Sequence, residues 1–183
     1  MYNDFIIVGP ESDPAGIKGL ESAVEAFKKI AAAGAEGNDV FVSRGDDSGT
    51  NKKELKIWAE ADIDTEGQSW YLDTGQGMGQ TLIVTDEKQG YTLSDRATYI
   101  ATQNLELVIL VEGDKTLFNQ YGVIVVNPDK HEGLKLNTEG AADFVEFLTS
   151  EEGQDLIGSY KMEGEVLFKP NAKSETRGMG ESE

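Results

Sequence analysis

Cysteine is absent from the 183 residues and histidine occurs once. Without thiols the chain has no disulfide, no thiolate metal site and no thiol nucleophile. His131 alone could act as an imidazole base. It lies in Asp129-Lys130-His131-Glu132-Gly133, a charged polar loop with no nucleophile implied beside it, so no catalytic role is expected. Also missing is any run near the roughly 18 apolar residues of a membrane span, and Met1-Tyr2-Asn3-Asp4 does not open a signal peptide. Basic residues are scarce: 16 Lys and Arg stand against 34 Asp and Glu, a net charge of −18. That balance disfavours nucleic acid or an anionic membrane surface as a partner held by bulk charge. An anion bound here must be won locally, by donors fixed within hydrogen-bond reach, because the long-range field repels it.

What is present reads as alternating strands and helices in one sizeable domain, or most of a two-lobed one. Phe5-Ile6-Ile7-Val8, closed by Gly9-Pro10, is apolar enough for a strand buried on both faces with neighbours on either side. Leu20, Val24, Phe27 and Ile30 then follow near helical spacing up to Gly34. A second strand spans Asp39 to Ser43, and Leu55, Trp58 and Ala59 mark the inner face of a helix from about Asn51 to Ala61. This order predicts an α/β fold with a mainly parallel sheet flanked by helices. Short strands are expected at Trp70-Tyr71-Leu72 and at Tyr91 to Ser94, with a helix from Asp95 in which Arg96 makes a structural ion pair. Leu105 to Val111 and Tyr121 to Val126 read as buried strands. Helices carry Ala141, Phe144, Val145, Phe147 and Leu148, then Leu156 and Ile157. From Asn171 onward the polar, glycine-containing sequence predicts a disordered tail.

The chemistry concentrates in Ser43-Arg44-Gly45-Asp46-Asp47-Ser48-Gly49-Thr50, a polar turn between a strand and a helix N-terminus. Backbone N–H groups and the positive end of a helix dipole converge at such a turn, and Arg44 with two hydroxyls stands beside them. Helix capping by Ser48 or Thr50 accounts for part of the pattern. It does not account for the arginine and the glycines. Asp46 or Asp47 would orient Arg44 or cap the helix. A second loop, Thr74-Gly75-Gln76-Gly77-Met78-Gly79, spaces three glycines so that backbone can approach a ligand, which makes Gln76, Gly77 and Met78 candidates. A dinucleotide-binding reading of that loop fails on spacing. The acidic pairs Asp46-Asp47 and Glu151-Glu152 lack further ligands at loop spacing, so no metal is expected.

Several stretches together resemble the tungstate-binding proteins of ABC importers, in the periplasmic binding protein superfamily. They are Met1 to Pro10, Phe41 to Thr50, Trp70-Tyr71 with Thr74 to Gly79, Tyr91 to Arg96, and Asn119-Gln120-Tyr121. The turn at Arg44 is also similar to that of phosphate-binding proteins. The resemblance implies a two-lobed fold, an extracytoplasmic setting, a membrane permease as partner and no cofactor. It implies a tetrahedral oxyanion ligand, tungstate or molybdate, held by Arg44, Ser48, Gly49, Thr50 and Ser43. It places an oxyanion-binding lobe with two crossover strands at residues 1–126 and the C-terminal helical part of the other lobe at 127–170, before the tail at 171–183. The N-terminal part of the first lobe is not in this sequence, so the apolar face of Phe144, Phe147, Leu148 and Leu156 is expected to be open to self-association. Two alternatives stay open, a phosphate-type binding protein and a non-transport interaction module. An enzyme acting on a phosphorylated molecule lacks a base and a nucleophile.

Overall fold

The structure is a computed structural model that describes residues 1–37, 39–131 and 133–172. Of the tail expected at 171–183, residues 173–183 lie outside these residues, whereas Asn171 and Ala172 are tied down: their N–H groups both donate to Gln154 Oε1, at 3.1 and 3.0 Å. The chain divides into two compact units, Asp4–Asn119 and Met1–Asn3 with Gln120 onward.

The larger unit is built around β1 (Tyr2–Gly9), whose residues from Asp4 to Gly9 are all buried. As its apolar run predicts, β1 has neighbours on both sides. It pairs antiparallel with β4 (Thr92–Asp95) and with β5 (Val108–Val111), and the register shifts between Ile7 and Val8. β2 (Phe41–Ser43) pairs parallel with β3 (Tyr71–Asp73), and a parallel bridge joins Phe41 to Tyr91. The parallel expectation therefore holds where a helix connects consecutive strands and gives way at β1, whose partners arrive from far along the chain. A short strand β6 (Phe118–Gln120) also pairs with β1.

The helices of this unit are α1 (Ala23–Ala35), α2 (Gly49–Glu60), α3 (Met78–Lys88) and α4 (Arg96–Ala101). The main core joins Phe27 and Ile30 of α1 to Phe41, Trp58, Trp70, Leu93 and Leu117, with the Phe27 and Trp58 rings 4.3 Å apart. A second cluster on the other face of β1 holds Ile6, Val8, Met78, Leu82 and Leu107. α2 turns differently from its apolar pattern. Leu55 is 45 % exposed and Ala59 is exposed, while Thr50, Asn51, Glu54, Ile57 and Trp58 are buried. With so few apolar residues the periodicity underdetermines the face, and hydrogen bonds made by Asn51 and Glu54 decide it. Arg96 is tied in an ion pair, as expected: it donates from Nε (2.9 Å) and Nη2 (2.6 Å) to Asp4 and from Nη2 to Glu112 at 2.6 Å.

The smaller unit holds α5 (Thr138–Thr149), α6 (Glu151–Ser159) and a hairpin of β7 (Lys161–Met162) with β8 (Glu165–Val166). Tyr2 exchanges backbone hydrogen bonds with Lys169 at 3.0 and 2.8 Å. The strand expected at Tyr121 to Val126 is not formed. Among the described residues no strand takes its backbone hydrogen bonds, and Ile124 is 90 % exposed. Phe144, Phe147 and Leu156 are exposed as well.

Candidate functional site

β2 and β3 are parallel neighbours with Ser43 opposite Asp73, and each runs through a turn into a helix. The N-termini of α2 and α3 therefore open beyond the carboxyl ends of one strand pair, the position where open α/β sheets bind ligands. Thr74 joins the two turns: its N–H and its hydroxyl each donate to the Ser43 carbonyl at 3.0 Å. Its Oγ1 also lies 3.0 Å from Thr81 Oγ1 on α3 and accepts from Gln76 N at 3.3 Å. Gly45 permits the close approach, because it has φ +59° and a Cβ there would sit 2.9 Å from Asp73 Cβ.

In the first turn Arg44 donates from Nη2 to Asp46 Oδ2 at 2.5 Å, while its Nε is buried without an acceptor among the described residues. Asp46 Oδ1 accepts from Ser48 N at 3.2 Å. Hydrogen bonding from the Ser48 side chain, and after it from Arg44, holds the Asp46 carboxyl below its ordinary range. Ser48 is the N-cap of α2 and accepts from Asn51 N at 3.3 Å. Asp47 stands at φ +58° with its N–H donating to Asn51 Oδ1 at 3.2 Å. Among the described residues no acceptor takes the N–H groups of Gly49 and Thr50, two of the orphan donors of a helix start.

The second turn leaves donors too. Gly77 is the N-cap of α3 and offers no side chain, and its carbonyl accepts from Thr81 N at 3.0 Å. Met78 joins this site only through its backbone, because its side chain is 5 % exposed and packs in the second core cluster. Gln76 is exposed. Ser43 is turned inward: its buried hydroxyl donates to Glu54 Oε2 at 2.7 Å and accepts from Gly45 N at 3.1 Å and Asn51 Nδ2 at 3.2 Å.

Glu54, Asn51, Tyr71 and Thr81 join the candidate site only in the structure, where Thr74 of the second loop links that loop to the first turn. Glu54 is 2 % exposed, and its Oε1 accepts from Tyr71 Oη at 2.6 Å and Trp58 Nε1 at 3.1 Å. Burial pushes its carboxyl up to about 7, against hydrogen bonds from Tyr71, Ser43 and Trp58 that favour the charged form. Burial, and then Glu54 itself, also raises the Tyr71 phenol. A signal existed in the polar residues Asn51 and Glu54 at helical spacing with Trp58, a stripe that faces inward only if its polar atoms are bonded.

A family model described as a PBP superfamily domain matches residues 1–152. The chain is 51% identical over 177 residues to the tungstate-binding protein TupA of Peptoclostridium acidaminophilum, covering 94% of this chain and 59% of that protein. It is 38% identical over 181 residues to the tungstate-binding protein TupA of Campylobacter jejuni subsp. jejuni, covering 95% of this chain and 64% of that protein. The chain thus spans less than two thirds of the length of these curated relatives. Among solved structures, the tungstate-binding protein TupA from Desulfovibrio alaskensis G20 superposes with a TM-score of 0.86 at 47% identity, over 94% of this chain and 69% of that one.

Proposed function

Because this chain belongs to the PBP superfamily and, within it, to the family of tungstate-binding proteins of ABC transporters, we propose that it captures a tetrahedral oxyanion, tungstate or molybdate, for an ABC importer. The observation that carries this reading is the convergence of two helix N-termini beside Arg44, whose buried Nε has no acceptor of its own among the described residues. Orphan N–H groups, helix dipoles and a guanidinium all favour negative charge at one place. Arg44 contacts the ion, with the Ser48 and Thr50 hydroxyls and the N–H groups of Gly49 and Thr50. Asp46 holds the guanidinium in position, and Ser43 acts from behind by fixing the turn. The N–H groups at Gly77 to Gly79 form the second wall, on the turn that carries Gln76.

The chemistry suits a fully ionised oxyanion. The proposed contacts, a guanidinium, two hydroxyls and backbone N–H groups, all donate, and an ion without protons needs no acceptor, whereas a phosphate that keeps a proton does. The partner is a membrane permease in an extracytoplasmic setting, and the protein binds its ligand without transforming it. Self-association through the exposed Phe144, Phe147 and Leu156 is a further contact proposed for this chain.

Titration calorimetry with tungstate, molybdate, phosphate and sulfate tests the reading. Arg44→Ala removes a charge-assisted hydrogen bond worth on the order of 1.5–3 kcal/mol, so tungstate affinity is expected to fall roughly ten- to a hundredfold. An unchanged affinity would remove Arg44 from the site. Saturable binding of none of the four ions would overturn the oxyanion reading itself.

A further inference from the structure

Glu54 stands one turn into α2, beneath the candidate anion turn, and is 2 % exposed. Its carboxyl receives three hydrogen bonds, from Ser43 Oγ at 2.7 Å, Tyr71 Oη at 2.6 Å and Trp58 Nε1 at 3.1 Å. All three donors are uncharged, and among the described residues Glu54 forms no ion pair with any cation. The Ser43 hydroxyl already accepts from Gly45 N and Asn51 Nδ2, which leaves it only its own hydrogen to give, and Glu54 takes it. Asn51 in turn accepts from Asp47 N. Through two bonds to Gly45 N and three to Asp47 N, Glu54 thus reaches the backbone on both sides of Asp46, the residue on which Arg44 rests.

We propose that Glu54 is a positioning residue for the anion turn and that it takes up a proton when the anion is captured. The inference rests on the oxyanion reading above. A buried carboxylate without a cation is costly, and burial already raises this one to about 7. An anion seated on the far side of Ser43 brings a second negative charge into the same low-dielectric region, where repulsion favours the neutral acid. The balance is simple: free protein with ionised Glu54, one anion and one proton from the buffer give the complex with neutral Glu54. The added hydrogen on Oε1 is donated to Tyr71 Oη, whose own hydrogen turns outward from its half-buried position. Coupling is reciprocal, so the protonated form binds the anion more tightly.

The surroundings leave Glu54 as the group that titrates. From β3 it faces Tyr71, whose phenol is raised by burial and by Glu54, with Asp73 two residues along that strand. From β2 it faces Ser43, next to Arg44, which is paired with Asp46. On α2 itself Asn51 and Trp58 are uncharged, Lys52 pairs with Asp47, Lys53 donates to the carbonyls of Thr116 and Phe118, and Lys56 pairs with Glu60. α1 presents Phe27 to Trp58, while its Lys28 bonds Glu25 and its Lys29 bonds the Gly16 carbonyl. β4 contributes the uncharged Thr92, Leu93 and Ser94, and Asp95 at its end caps α4.

Calorimetric titration of the full chain with tungstate near neutral pH, in two buffers of different ionisation heat, counts the protons exchanged. The wild type is expected to take up a fraction of one proton per anion, and its affinity to fall about three- to tenfold between about pH 6.5 and about pH 8. Glu54→Gln is expected to bind tungstate with no proton uptake and a flat profile over that range. Saturable wild-type binding without proton uptake, or uptake that persists in Glu54→Gln, would overturn the inference while leaving the oxyanion reading intact. Absence of any tungstate binding by the wild type would remove both. The wild-type proton count decides the matter even if Glu54→Gln folds poorly.

Discussion

Asp39 has a side-chain oxygen, Oδ2, that is buried with no hydrogen-bond partner among the described residues. Burial first, and the negative charge of Asp13 second, push its carboxyl from the ordinary 3.8 to about 6. The folded protein therefore holds this proton at pH values where the unfolded chain has lost it. Stability linked to Asp39 is fully present below the ordinary value and declines as pH rises through about 6. Asp39→Asn should raise the melting temperature at pH 7 and leave it near that of the wild type below about pH 4. Melting curves at the two pH values check this, and a gain of equal size at both would show that charge is not the cause. Glu54 differs from Asp39 at this scale because all of its bonds are made: it is buried with partners, and they lead to a site.

Among the elements, α1 is fitted to the strand pair that carries the site. Its Gly34 meets Trp70, the residue before β3, so closely that an added Cβ would lie 2.6 Å from Trp70 Cγ. Trp70 is 5 % exposed and packs against Trp58 of α2 with ring centroids 5.5 Å apart, so the indole has little room to retreat. Gly34→Ala is expected to destabilise the protein by about 1–3 kcal/mol through overpacking, read from denaturant unfolding. Stability within a few tenths of a kcal/mol of wild type would mean that α1 and Trp70 separate freely. The helix starts repeat one device at this scale. Ser22, Ser48, Asp95, Asn137 and Ser150 each cap a helix through a side-chain oxygen, whereas Gly77 caps α3 without one. That exception leaves the start of α3 bare where it meets the turn at Thr74.

For the whole molecule, two opposed terms govern contact between copies. The exposed apolar residues Ile124, Val126, Phe144, Phe147 and Leu156 favour burial, and a net charge of −18 opposes approach. Salt screens the second term and leaves the first, so self-association of this chain is expected to strengthen as ionic strength rises. Sedimentation velocity at low and high salt measures it. A monomer under both conditions, or a dimer that dissociates with added salt, would show that these apolar residues do not bring copies together. For the proposed oxyanion ligand the same net charge means that approach to the turn runs against the field and retention rests on donors close at hand.

The sequence by itself determined the central strand, the helices that follow it and the turn from Ser43 to Thr50. Continuous apolar runs, capping residues and glycine spacing are local signals, and local geometry honours them. The candidate donors Arg44, Ser48, Gly49 and Thr50 can be proposed from the sequence for that reason, since an arginine and a serine-glycine-threonine turn announce donors within a few residues. Only the tertiary structure decided what lies behind the turn. The inward face of α2, the pairing of the two helix starts through Thr74, and the network of Ser43, Glu54, Tyr71 and Trp58 join residues up to 31 positions apart. A buried polar group survives only when partners from other elements satisfy it, and hydrophobic periodicity contains no record of those partners. The same limit explains Tyr121 to Val126: its composition suits a strand, but a strand needs a neighbour to take its hydrogen bonds, and composition cannot supply one.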